Sequence, residues 1–431
     1  MNKKIKTTII TVLLMLFCLC LFTACQQKTV GFLQYSASEM GAVGKLVRWM
    51  HDWLGTGNYG WTVVLFTVIL KVVMLPMDFW QRFAMRKSAV KMQAMQPLLD
   101  DIDKRYGANS QRSNEEKQKL YKKQGYSMLG TCLPTIISMV VFFVMFGGLN
   151  DYSTYSSVTN YKKLAIVYQD TRIEALQGEE YVSLKAEYDV IYAANISKFT
   201  GDKEFVDFKS KQEIWEMFVQ KATDSSRTDR AANVKAFAEI RQKAMAAVKA
   251  SYSADHESWL WIQNVWQPDT WSTIMSDYDK FSASVGMTDL NPELNKALYN
   301  DVRSAVLETG TRGSSGNWNG LMILPILSIG LSFLSLWISQ RMERKNRNGQ
   351  TAPVNDQQAA SNKMMMILMP LMMAVFGFMY TGAFAIYMVV NYSLSILSTI
   401  ALRAPVEKAV QKSLEKAAQK GEGPQKANYE R

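Results

Sequence analysis

Lys71 is the one charged residue in the apolar run from Trp61 to Met77. A cation near the centre of a bilayer costs at least ~2.5–3.5 kcal/mol, so it needs water or counter-charge and marks a functional site by default. Helical spacing sets Thr67, Lys71, Asp78 and Gln81 on one face, because steps of four, seven and three residues keep the azimuth within about a quarter turn. Such a stripe can attract an anion or hydrate a polar segment. Asp78 follows Lys71 by two turns, roughly 10 Å along the axis, which predicts no direct pair within the helix.

Three other apolar runs carry polar stripes: Ser127, Thr131 and Ser138; Ser328, Ser332, Ser335 and Ser339; Asn391, Ser395 and Ser398. Small hydroxyl residues commonly pack helices against one another, and that reading serves the serines taken alone. It does not account for Lys71, whose chain either snorkels to the cytoplasmic interface or faces a polar cavity open to the cytoplasm. The cavity reading makes Lys71, Thr67, Thr131, Ser138, Ser332, Ser335 and Asn391 the candidate binding residues.

Catalytic chemistry finds no foothold. His51 and His256 have no cysteine or carboxylate pattern beside them, so no metal site is expected and both read as surface or interface residues. Gly55-Thr-Gly-Asn-Tyr-Gly60 has the spacing of a dinucleotide fingerprint, but no strand precedes it and an apolar span follows. With no phosphate-binding Gly-Lys-Ser/Thr loop and no histidine triad, neither an enzyme nor a cofactor is expected.

The elements that position Lys71 follow from hydropathy. Apolar runs near 8–24, 61–77, 128–148, 320–338, 364–380 and 383–402 each approach the ~20 residues of a helical span. The first reads as a secretory signal: Met1 to Lys6 is basic, Thr8 to Phe22 apolar, and Thr23-Ala24 precede Cys25. Cys25 sits where a lipoprotein signal places its lipid-accepting cysteine, with Phe22 in place of the usual leucine; the other reading is an uncleaved anchor. Cys18 and Cys20 leave with such a signal and Cys132 lies in an apolar run, so no disulfide framework is expected.

Charge then orients the spans. The segment 81–126 holds 11 Lys or Arg against 5 acids, whereas 149–317 holds 19 against 24, so 81–126, 341–363 and 403–431 face the cytoplasm. The net charge of +11 is mostly this topology signal and speaks only weakly for nucleic acid. The expected class is all-α: a polytopic helical membrane protein with five core transmembrane helices at 61–80, 127–148, 318–340, 364–381 and 382–402. It adds a signal at 1–24, an extracytoplasmic segment at 25–60 and a basic cytoplasmic helical hairpin at 81–126. Pro97 is expected to interrupt the first arm of that hairpin, whose methionines offer an adaptable apolar surface. The outer domain 149–317 should be mainly helical, with Glu174–Tyr192, Lys209–Lys221 and Arg230–Ala250 as its strongest segments and Trp259, Trp261, Trp266, Trp271 and Trp318 as interface anchors. Gly313-Ser-Ser-Gly316 reads as a flexible link, and 403–431 as a basic tail.

Four stretches, in order, resemble the YidC family of membrane protein insertases, in its Gram-positive lipoprotein form: Tyr59-Gly-Trp through Ile69-Leu-Lys71 to Leu75-Pro76; Met95-Gln-Pro97 with Lys104-Arg-Tyr106; Leu129 to Pro134; and Leu324-Pro325 with Met369-Pro370-Leu. Trp259 to Trp266 with Pro268-Asp269 is similar to the tryptophan-containing segment before the next span. The resemblance implies a bacterial cell-membrane protein, lipid-anchored at Cys25, that inserts nascent membrane proteins through a hydrophilic groove. It implies membrane lipids as surroundings, the ribosome and the Sec translocon as further partners, and no direct nucleic-acid binding. The family's groove arginine falls at Lys71, which keeps the charge but loses the guanidinium fork, and the outer segment is longer than that form usually has. Two other classes stay open at this level: a small-solute secondary transporter using Lys71 as an anion site, and a lipid-anchored scaffold whose outer domain binds a partner.

Overall fold

The computed structural model describes residues 36–54, 57–107, 110–123, 128–201, 203–284, 295–309, 318–346, 375 and 378–419. Among these the fold is all-α, with only two isolated bridges of β type. The signal at 1–24, Cys25, the link at 313–316 and most of 364–381 lie outside the described residues.

Helix α1 (Ala42–Leu54) is amphipathic, burying Val47 and Met50 while Leu46, Trp49 and Trp53 stay exposed. It can press against the fourth helix because Gly148 there has no Cβ, which would collide with the side chain of Val43. Helix α2 (Tyr59–Tyr106) is capped by Asn58, whose side chain accepts from the Gly60 amide at 3.0 Å. It runs unbroken for 48 residues through both Pro76 and Pro97 and ends at Gly107, where φ is 81°. The expected interruption at Pro97 is therefore absent. Each proline removes one helical hydrogen bond, but packing along a long partner helix outweighs two such losses.

Helix α3 (Gln111–Lys123) folds back on α2. The hairpin is closed by Asp103, which accepts from Ser113 Oγ at 2.7 Å and pairs with Lys117 Nζ at 2.5 Å. Burial pushes the Asp103 carboxyl up, but the bonds from Lys117 and Ser113 win and hold it below the usual range. Met95 is buried in this region rather than offered as surface, while Met85 is exposed.

Helix α4 (Met128–Ala175) carries the chain from the second expected span into the outer domain without a break. There α5 (Val182–Asn195), α6 (Lys203–Ala222), α7 (Arg230–Ala254), α8 (Tyr278–Ser284) and α9 (Lys296–Leu307) pack around two cores. One centres on Tyr161, Tyr168, Val248, Tyr299 and Val302; the other, on Tyr188, Ile214, Trp215, Phe218 and Ile240. A third core joins α1, α2 and α4 to α10 (Ile323–Asn346) and α11 (Gly382–Gln419) through Val63, Phe66, Leu149, Tyr152, Leu324 and Phe384. Tyr59–Met92 and Gly382–Lys416 are long and apolar enough to cross a membrane, and Ile323–Ser339 is a shorter apolar helix.

The segment 259–269 ties the outer domain to the spans. Asp269 is fully buried and accepts from the amides of Leu321 (2.9 Å) and Leu324 (2.8 Å), capping the start of α10. The amides that open α11, Gly382 and Ala383, donate to the carbonyls of Gln267 and Val265, each at 2.8 Å. Trp259 and Trp266 are consequently core residues, packed on Trp61 and on Tyr59 and Tyr152, and not the interface anchors their composition predicts. Trp271 and Trp318 do remain exposed, side by side.

Candidate functional site

A cavity of about 450 Å³ opens between α2, α4, α10 and α11. Helix α2 supplies Thr67, Lys71, Asp78, Gln81, Arg82 and Arg86, and α11 supplies Asn391, Ser395, Thr399, Arg403 and Glu407. Met74, Met85, Val141, Phe142 and Tyr387 form apolar wall. The α2 residues share one face because their spacings return to it every three or four residues, as the helical period requires. Four cations thus face two carboxylates in a space enclosed by apolar helices.

Lys71 Nζ donates to Ser395 Oγ at 3.0 Å and pairs with Asp78 Oδ2 at 2.8 Å; both side chains are about 15% exposed. That pair overturns the expectation that Asp78 lies out of reach. Axial spacing of the backbone measures Cα separation, whereas a lysine stem and a carboxylate leaning toward each other close most of it. Arg82 donates from Nη2 to Ser398 Oγ at 3.3 Å. Arg86 holds Glu407 with two bonds, Nε to Oε2 at 2.9 Å and Nη2 to Oε1 at 3.2 Å. Lys87 donates to Ser413 Oγ at 2.8 Å, so the start of the basic tail lies along α2 instead of hanging in solvent.

Of the residues singled out from the sequence, Lys71, Thr67 and Asn391 line the cavity. Thr67 is 1% exposed, and its hydroxyl donates to its own helix at Val63 O, 2.7 Å away. Ser332 and Ser335 lie on α10 away from the cavity lining, where Ser332 is buried and Ser335 O accepts from Ser339 Oγ. Their stripe packs helices, as small hydroxyl residues often do; Ser339, one turn further on, is the member that reaches the cavity. The side chains of Thr131 and Ser138 lie outside the described residues. Arg82, Arg86 and Glu407 are not among the candidates the sequence offers, where the two arginines count only toward the basic balance of 81–126. Extending the Lys71 stripe by one and two turns beyond Asp78 reaches both arginines. Among the described residues, no group of three or more His, Cys, Asp or Glu is placed to hold a metal ion.

Residues 49–186 and 236–409 match the family model described as 60Kd inner membrane protein, well over half of the chain. The chain belongs to this family. Among its relatives, the membrane protein insertase YidC of Caldanaerobacter subterraneus subsp. tengcongensis is 32% identical over 117 residues, covering 27% of this chain and 54% of the relative. The proteins of the same name from Thioalkalivibrio sulfidiphilus and Stenotrophomonas maltophilia are 32% and 33% identical over 106 and 111 residues, covering 18% and 19% of those relatives. The chain thus aligns with about half or less of the length of the relatives it matches. No solved structure matches the chain. The 60Kd inner membrane protein match places the cavity-lining helices within the family region. Its gap, 187–235, takes in the end of α5, all of α6 and the start of α7.

Proposed function

We propose that this membrane protein inserts newly made membrane proteins, as the names of its relatives indicate for them, through the cavity beside Lys71. The observation that carries the reading is the cavity itself: four cations and two carboxylates held among apolar helices, two of which are long enough to cross a bilayer. A client with a short polar tail must take charges and unpaired backbone groups through hydrocarbon, a step that costs several kcal/mol. A hydrated, net-cationic cavity shortens that path. The Lys71–Asp78 pair and Asn391 keep its middle polar, while the methionines and aromatics offer an apolar wall along which the client's own span passes into lipid.

In this reading 81–126, 341–363 and 403–431 face the cytoplasm, 25–60 and 149–317 lie outside, and five helices cross the membrane. Cys25 carries a lipid after removal of 1–24. The α2–α3 hairpin and the basic tail meet the ribosome or a Sec-type channel. Transfer is driven by partitioning, without catalysis or cofactor.

A photo-reactive residue at position 71, tested on ribosome-bound client chains in cell membranes, checks the proposal. Adducts that move along the client as it lengthens support insertion through the cavity. Adducts only to lipid, with client insertion unchanged when Lys71 is replaced by Glu, would sink it.

A further inference from the structure

Helix α2 sends three cations into the cavity, and two of them already have carboxylates. Lys71 has Asp78 at 2.8 Å, and Arg86 has Glu407 at 2.9 Å. Arg82 differs. Among the described residues no carboxylate lies within ion-pairing distance of it, and its hydrogen bond goes to the neutral hydroxyl of Ser398. Its Nε is shielded from solvent and has no hydrogen-bond partner. Asp78, one turn back on the same helix, is engaged by Lys71.

A buried donor without a partner is unusual in a native structure and calls for a reason. Here the reason lies in the shape of the group. The Nε edge of a guanidinium, together with the adjacent Nη2, forms a fork matched to the two oxygens of a carboxylate, and a single hydrogen bond from Nη2 to a hydroxyl leaves the Nε half of that fork unused. Arg82 also sits eleven residues beyond Lys71 toward the basic hairpin, about 16 Å along the helix. A segment entering from the hairpin side passes the already paired Arg86 and Glu407 and then meets Arg82 before it reaches Lys71.

We infer that Arg82, and not Lys71, is the anion-accepting residue of the cavity, and that it takes an acidic side chain of the entering polypeptide. The inference rests on the insertase reading and deepens it. Lys71 contributes polarity through its pair with Asp78, and Arg82 supplies selectivity for acidic tails.

The test uses the full chain in phosphatidylcholine vesicles with a single-span client whose short tail carries either two aspartates or two asparagines. The measured quantity is the ratio of aspartate to asparagine tails protected from external protease. Arg82→Gln is expected to lower that ratio about tenfold, and Arg82→Lys, which keeps charge but loses the fork, about threefold. The double variant Lys71→Gln/Asp78→Asn should lower both clients by a common factor and leave the ratio unchanged.

An unchanged ratio in Arg82→Gln, or a collapse of the ratio in the double variant, overturns the assignment. Should Arg82→Gln melt early, Arg82→Lys decides: a threefold fall supports the role of Arg82 and no fall overturns it. If the wild type inserts both clients and neither Arg82 variant shifts the ratio, only this assignment fails. Wild-type protection no better than in protein-free vesicles overturns the insertase reading and the Arg82 role with it. The same variants in vesicles containing phosphatidylglycerol identify the other anion: an Arg82→Gln defect confined to those vesicles and equal for both clients means a lipid phosphate, and overturns the proposal.

Discussion

Arg82 and Arg172 both lack a carboxylate within ion-pairing distance among the described residues, and their surroundings give them different work. Arg172, on the outer part of α4, is 5% exposed and is walled by the rings of Trp215 and Tyr168, at 4.7 and 5.7 Å. Its Nη2 donates to Gln212 Oε1 at 2.9 Å and to Lys211 O at 3.2 Å, all on α6. Arg82 lines open space and has a single hydroxyl. Both have an unpartnered Nε, so a missing hydrogen bond alone does not make a site. The room beside the guanidinium does. Arg172 serves instead as the clamp that docks α6, the helix inside the gap of the family match, onto a helix that belongs to the family region.

The contrast is open to a series of tests. Arg172→Ala should have the largest effect on stability, about 3 kcal/mol lost from the outer domain through lost stacking and stranded acceptors on α6, seen as an early melting transition. Arg82→Ala should barely move that transition, and equal losses at the two positions would erase the distinction. Asp269→Ala removes the cap of α10 and should cost about 2.5 kcal/mol, with hydrogen exchange quickening first at the amides of Leu321 and Leu324.

Glu257 sets the outer domain's response to pH. Burial pushes its carboxyl up from near 4.5 to about 7, against the pull of hydrogen bonds from Ser156 and Asn160. Between those values the folded form binds more protons than the unfolded one, so its contribution to stability falls as pH rises from about 4.5 and levels off above about 7. Glu257→Gln should flatten this dependence and add about 2 kcal/mol at pH 8, measured by denaturant unfolding across pH. The smallest effect belongs to the Arg86–Glu407 pair, partly exposed at 16% and 34%, where a double-mutant cycle should return a coupling of about 1 kcal/mol.

The sequence made the helical class legible because apolar runs and helix-forming segments are long and cleanly separated. The expected segment Arg230–Ala250 ends four residues short of the observed helix end at Ala254. The face carrying Thr67, Lys71, Asp78 and Gln81 was legible for the same reason, since periodicity fixes azimuth. What periodicity cannot give is reach or partner. Lys71 and Asp78 pair through their side chains, Glu407 arrives from more than three hundred residues away, and Ser332 and Ser335 fall outside the cavity lining. The tryptophans divide on tertiary grounds too: Trp259 and Trp266 are drawn inside by a loop whose backbone bonds no local pattern announces.

The length of α2 has a mechanical consequence. Forty-eight residues make a rod of about 72 Å, more than twice the hydrocarbon thickness of a bilayer. Its far end is braced by the Asp103–Lys117 bond and its near end is wedged where a Cβ on Gly60 would strike the ring of Trp259. A load applied at the hairpin tip is therefore felt as leverage at the tryptophan loop, and the cavity lies between the two along the same rod.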